Sequence, residues 1–248
     1  MIPVEELERI IKLYPRLIYA QEKGRQLVRG TFEFCALYDA IGDRFILNPS
    51  TSDSALEDRI IQDSYEIEVE FFSGSPLRFP DVREVGGRIQ KVIEKFDIKD
   101  IRDLHVNKNL NNAICLCPKP EFYVRYPNGL DLFDFFNALV LPYFYGLTYF
   151  EKHGEWPRGT YGHGDVGIFE FYFEHRNAAN ANLIKSCIEN LSESLSKEYL
   201  QRKGEAKGHW ECVCGSKKKM RDCHAKTLGG LRALREDIRN KSINLNLK

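Results

Sequence analysis

The chain lacks a net charge: across 248 residues, 36 Lys and Arg balance 36 Asp and Glu. It also lacks a long apolar run. The most hydrophobic stretch, residues 135–150, is bounded by Asp134 and Glu151 and interrupted by Pro142. It is shorter than the ~20 residues a spanning helix needs, so it reads as buried core and no membrane partner is expected. No secretory-leader pattern opens the sequence, and there is neither an internal repeat nor a low-complexity segment. Seven cysteines cannot all pair. With no leader pattern, this points to a reducing compartment, expected to be the cytoplasm.

The neutral total hides an asymmetry. Residues 201–248 carry 13 basic against 5 acidic side chains, so an acidic body bears a basic tail. Such a tail is usually a solvated face, with a nucleic-acid contact as the other reading. Length and composition fit one sizeable domain with an appendage.

Hydrophobic periodicity gives a helix over 3–15, with Val4, Leu7, Ile10, Ile11 and Tyr14 on one face and Pro15 ending it. Strands follow at 30–38 and Arg44–Leu47, then a polar loop at 48–57. Residues 65–71 alternate with Glu, which predicts an antiparallel strand with one face on the core and the other in water. Two prolines then force a turned path through residues 73–82. Helical patterns cover 88–104, 131–153 and 178–202, with a loop at 154–168. Residues 204–208 read as a linker, and Leu231, Leu234 and Ile238 space a short amphipathic helix. The fold class expected is α+β. The domains expected are 1–203, a linker at 204–208, and a small module at 209–248.

That module contains Cys212-Val213-Cys214-Gly215-Ser216, then Lys217, Lys218, Lys219 and Arg221, then Cys223-His224. Three thiols and an imidazole at C-x-C-x8-C-H spacing suit a closed structural zinc site, because zinc takes sulfur and imidazole nitrogen tetrahedrally. A pair of disulfides is the alternative. The pattern resembles the SEC-C motif, with Val213 where that family usually has Pro and Met220 where it often has an aromatic residue. The resemblance covers about residues 208–226 and implies a bacterial chain with a partner-docking tail.

In the body, Ser75-Pro76-Leu77-Arg78-Phe79-Pro80-Asp81-Val82 precedes His105-Val106-Asn107, and Cys115 stands ten residues after His105 within Ile114-Cys115-Leu116. This order resembles the ubiquitin-conjugating enzyme fold across roughly residues 1–150. The resemblance implies an antiparallel meander sheet flanked by helices, a thioester-forming Cys115, Asn107 supporting the oxyanion or the loop, and a mainly structural His105. It further implies a ubiquitin-like modifier, its activating enzyme and a protein target as partners. Val106 replaces the family Pro, and residues 88–104 insert a helix. Both features, and the Gly154-Glu155-Trp156-Pro157 segment, are similar to divergent bacterial relatives in antiphage and protein-modification operons. Cys117 lies one strand period from Cys115 and is a second candidate thiol; Cys35 and Cys187 fall in core patterns. His163 and Asp165 read as structural or as orienting an acceptor amine. A non-catalytic binding module, or a nucleic-acid or ribosome adaptor acting through the tail, are the rival functions.

Overall fold

The computed structural model describes residues 2–50, 59–72, 78–157 and 160–241. Most of the expected 48–57 loop and residues 73–77 of the proline turn lie outside them. Contacts divide the chain into two units, residues 1–116 with 128–159, and residues 117–127 with 160–248. Both the helices and the antiparallel sheet of the expected α+β class are present.

In the first unit, helix α1 (Val4–Leu13) leads into strands β1 (Leu17–Glu22), β2 (Arg25–Asp39), β3 (Arg44–Leu47), β4 (Ile60–Phe71) and β5 (Asp81–Glu84). Strand β2 organises the sheet. One of its edges takes β1, with Leu17 opposite Gly30, and then β3, with Ala36 opposite Leu47. Its other edge takes β4 from Gln26–Phe71 to Leu37–Ile60, and β5 closes the far side of β4. The predicted alternation holds on one face: Phe32, Phe34, Tyr65, Ile67 and Val69 are buried. The glutamate face is in open water only in part: Glu66 is exposed and Glu68 half-buried. Glu70 is only 6% exposed. Arg83 reaches Glu68 at 3.3 Å, Glu70 at 3.2 Å and Asp81 at 3.0 Å, and Arg25 reaches Glu70 at 3.3 Å. Cross-strand ion pairing covers Glu68 and Glu70, which periodicity alone left in water.

The helix expected over 88–104 stops early. Helix α2 (Arg88–Phe96) ends where Asp97 turns left-handed at φ 51°, and one 3-10 turn follows at Ile101–Leu104. A two-stranded hairpin, β6 (Val106–Asn107) with β7 (Ala113–Ile114), comes next. Helix α3 (Lys119–Arg125) belongs to the second unit. Helix α4 (Leu132–Phe135) runs through a π turn into α5 (Leu141–His153). Pro142 cannot donate to the helical ladder, and the wider turn, with Leu141 N–H bonding the Phe136 carbonyl, absorbs that defect. The apolar run is thus core of this unit, where Phe32, Phe136, Phe144, Tyr14 and Tyr65 pack ring to ring. No helix among the described residues is long and apolar enough to cross a membrane.

A polar chain fixes helices to sheet. Arg88 grips Asp63 at 2.6 and 2.7 Å and Glu151 at 2.9 Å; Thr148 donates to Asp63 at 2.7 Å and shares a 2.8 Å bond with Tyr65. Burial alone would raise the Asp63 pKa. The Arg88 and Thr148 hydrogen bonds outweigh it and hold the carboxyl below its ordinary value.

The second unit contains α6 (Asp165–His175), α7 (Ala181–Asn190), α8 (Ser194–Gln201), α9 (Met220–Cys223) and α10 (Ala225–Asn240). Helix α6 begins inside the expected 154–168 loop. The expected 178–202 helix is broken by the buried Asp165, whose carboxylate accepts from Ser192 N at 2.9 Å, Ser192 Oγ at 3.0 Å and Glu193 N at 2.9 Å. The expected boundary at 204–208 differs from the observed division. Ala206 is 1% exposed, and Phe169, Ile184, Met220, Leu231 and Leu234 share one core. Arg232 Nε bonds the Ala206 carbonyl at 2.9 Å, and buried Arg235 bonds the carbonyls of Tyr199, Arg202 and Gly204.

Helix α10 crosses α6 at Gly230, where a Cβ would sit 1.8 Å from the Phe169 carbonyl oxygen. Gly230→Ala should therefore cost about 3 kcal/mol in chemical denaturation, because backbone cannot yield as a side chain can. Truncation after residue 204 should abolish hydrogen-exchange protection in α6 and α7 while leaving β2 and β4 protected. Asp63 also makes stability pH-dependent. Its folded pKa is depressed, so its contribution is complete above the unfolded value of about 3.9 and is lost as pH falls through the folded pKa. Asp63→Asn should flatten the denaturation midpoint of the first unit across pH 2–5.

Candidate functional site

Each unit holds one of the sequence-predicted sites. In the first, the β6–β7 register sets Val106 opposite Ile114 and Asn107 opposite Ala113. Val106 and Ile114 are buried at 2% and 4% exposure, which seats the hairpin on the core. One step past Ile114 the pairing continues as a single bond, from Cys115 N–H to the His105 carbonyl at 2.7 Å. His105, Asn107 and Cys115 are therefore held on two adjoining chain segments, with His105 and Asn107 half-buried and Cys115 exposed. Asn111 and Asn112 take left-handed conformations in the connection, which asparagine tolerates.

The turn before the hairpin is built on aromatics. His105 itself is left-handed at φ 55°, and its N–H bonds the Arg102 carbonyl at 2.7 Å. The preceding carbonyl, Leu104, accepts from the Tyr143 hydroxyl at 2.9 Å. Burial pushes the Tyr143 pKa well up, so it stays a neutral donor. The His105 ring meets Trp156 edge to face at 5.4 Å.

The two candidate thiols are separated. The chain leaves the strand after Ile114 and bends at Cys117, so Cys115 is exposed and Cys117 is buried at 8% exposure. A two-residue step would give both thiols the same side only in an extended segment, and the bend at Cys117 removes that condition. Cys187 is fully buried in α7 and its thiol is pushed up to about 12 by burial; Cys35 in β2 is half-buried. Asp165 is committed to its three hydrogen bonds at the start of α8, which accounts for it structurally. Trp156 and Tyr143 are site-flanking residues that spacing did not single out.

In the second unit, Cys212, Cys214, Cys223 and His224 bring one donor atom each to within 4.8 Å of one another. Cys212 Sγ lies 3.2 Å from His224 Nδ1, and Cys214 Sγ lies 3.6 Å from Cys223 Sγ. Thiolates bound about 2.3 Å from one tetrahedral ion stand about 3.8 Å apart, so this spacing suits a shared metal. It is far beyond a disulfide bond, and all seven cysteines are free. The local fold explains the approach. Gly215 at φ 77° and Lys217 at φ 59° reverse the chain, Cys212 N–H bonds the Lys218 carbonyl at 2.8 Å, and α9 returns Cys223 to the first pair. Lys217, Lys218, Lys219 and Arg221 are exposed around it. Trp210 stacks near Tyr199 at 4.8 Å, and the Tyr199 hydroxyl bonds the Glu211 carbonyl at 3.0 Å, so the knuckle is anchored on α8.

Exposure sets an order of thiol reactivity. Brief iodoacetamide treatment of native protein should label Cys115 and spare Cys117 and Cys187, read by peptide mass mapping. Equal labelling of Cys115 and Cys117 would contradict the bend. No family model matches this chain, and no curated protein or solved structure matches it either.

Proposed function

We propose that this chain is a ubiquitin-conjugating-like carrier that holds a ubiquitin-like modifier as a thioester on Cys115. The observation that carries the reading is the exposure of Cys115 at the end of a core-seated hairpin, with its amide bonded to His105. The antiparallel order β1-β2-β4-β5 after a first helix supports it, with β3 paired beside β1 on β2 as a departure from the plain meander the resemblance implies. In the first step the Cys115 thiolate attacks the carbonyl of the modifier's activated C-terminus, forms the S–C bond and releases the activating enzyme's thiol. In the second, a target amine attacks that carbonyl, the S–C bond breaks, Cys115 leaves as thiolate, and the amine's surplus proton passes to solvent. Asn107 offers a neutral donor for the developing oxyanion or braces the hairpin. Such a carrier belongs beside an activating enzyme, as in bacterial antiphage or protein-modification operons.

The knuckle is proposed to hold zinc, since three thiolates and an imidazole are the donors that ion prefers. Zinc bound there would fix the Gly215 turn to α9, and the exposed lysines would offset the net negative cluster. A docking role for this end of the second unit follows from the SEC-C resemblance and the basic rim.

The deciding experiment mixes the protein with the activating enzyme and modifier encoded beside it, plus ATP, and reads non-reducing gels. A thiol-sensitive adduct should form, vanish with Cys115→Ala and persist with Cys117→Ser. Cys115→Ser should give a weaker, hydroxylamine-sensitive ester or none. Asn107→Ala should slow transfer to target by about a hundredfold, more than it slows loading. An adduct that survives Cys115→Ala but not Cys117→Ser would move the site; no adduct with any cognate pair would favour a binding module. For the metal, elemental analysis should give one zinc per chain, and Cys223→Ser should lower that content. Chelation should loosen residues 208–226 and lower the stability of the second unit, because Cys212, Val213 and Met220 lie within its core. Metal-free native protein would exclude the assignment.

A further inference from the structure

We propose that Trp156 is a positioning residue for Cys115, acting through His105; this rests on the reading of Cys115 as the acceptor thiol. Trp156 follows α5 and sits over a notch in that helix. At Gly146 a Cβ would lie 2.7 Å from two carbons of the indole ring, so only glycine admits the ring at this depth. Tyr143 at 5.9 Å and Phe150 at 5.8 Å flank it on the same helix. The seated indole presents itself to the His105 imidazole at 5.4 Å with the planes 79° apart.

The contact bears on the reactive segment because of what His105 does with its backbone. It occupies a left-handed conformation, which costs a non-glycine residue conformational energy unless its surroundings hold it. The Tyr143 hydroxyl holds the carbonyl just before it, and the indole holds its ring. The next carbonyl along the chain, that of His105 itself, is the acceptor for the Cys115 amide at 2.7 Å. Loss of the indole frees the ring, weakens the turn and releases the amide of Cys115. Trp156 acts through His105 and sets where the sulfur stands.

The test uses the full-length, metal-loaded protein and two readouts. The first is hydrogen exchange at the Cys115 amide, compared with the Val85 amide, which bonds the Glu66 carbonyl at 2.8 Å in the same unit. Trp156→Ala should accelerate Cys115 exchange by about tenfold, the scale of one edge-to-face contact, and leave Val85 unchanged. Trp156→Phe should restore most of the protection. Gly146→Ala, which keeps the indole but displaces it, should reproduce the defect. The second readout is the rate of thioester formation, which should fall with Trp156→Ala and Gly146→Ala at unchanged affinity for the activating enzyme.

Equal acceleration at Cys115 and Val85 would show general loosening and overturn the proposal, as would no change at either. If Cys115 protection responds to Trp156 but wild-type protein is never loaded, the conjugation reading falls and the positioning stands. If wild type loads and Trp156→Ala loads equally fast with an unshifted Cys115 amide, the positioning falls and the conjugation reading stands.

Discussion

Strand β2 is the constraint on which the first unit depends. Its fifteen residues pair with β1 and β3 along one edge and with β4 along the other, so no neighbouring strand can slip without moving every side chain it carries to the wrong face. The register in turn fixes Tyr65 under α5, where its hydroxyl meets Thr148, and fixes Asp63 under Arg88. Helix α5 is thereby held by both apolar packing and a satisfied polar chain. It is the same helix that supplies Tyr143 to the turn before the hairpin and the Gly146 notch for Trp156. The candidate thiol is thus braced by a sequence of contacts that begins in the sheet, without any regular strand of its own longer than two residues.

The elements legible in the sequence are those with one wet face and one dry one. Helix α1 and strands β2 and β4 carry clear 3.6- or 2-residue patterns, and Ile10, Phe32 and Ile67 lie where those patterns put them. Helix α6 was illegible for the opposite reason. Its first eight residues, from Asp165 to Tyr172, are all buried, so it has no polar face and no period to read. The glycines just before it mimic a loop. The break between α7 and α8 was equally hidden, because it is imposed by Asp165 from 27 residues away.

The sites show the same division. The four donors of the knuckle are close in sequence, and their spacing alone brought them together. The Cys115–His105 relation comes only from a family resemblance in spacing, and the two-residue strands that return the chain over those ten residues are too short to show a period. Which of Cys115 and Cys117 faces solvent was not legible, because it turns on a bend that a period-2 reading cannot register. The bearing of Tyr143 and Trp156 on the hairpin was hidden, because it comes through tertiary contact across 39 and 51 residues.

The tail corrects an inference that composition encourages. Glycines and charges at 204–208 look like a hinge, and a compact metal motif after them looks like an appended module. Yet Gly204 and Ala206 surrender their carbonyls to Arg235 and Arg232, and the helix carrying those arginines buries Leu231 and Leu234 against α6. A guanidinium that caps three carbonyls must be desolvated to do so, and that cost is met only if the surrounding core stays closed. The basic charge of this region therefore has two distinct uses. Arg235 is interior and structural, at 6% exposure, whereas Lys217, Lys218, Lys219 and Arg221 stand in solvent around the thiols. Counting Arg235 with them overstates what stands in solvent, although Lys203, Lys207, Lys226, Arg232 and Arg239 are exposed beside the knuckle cations.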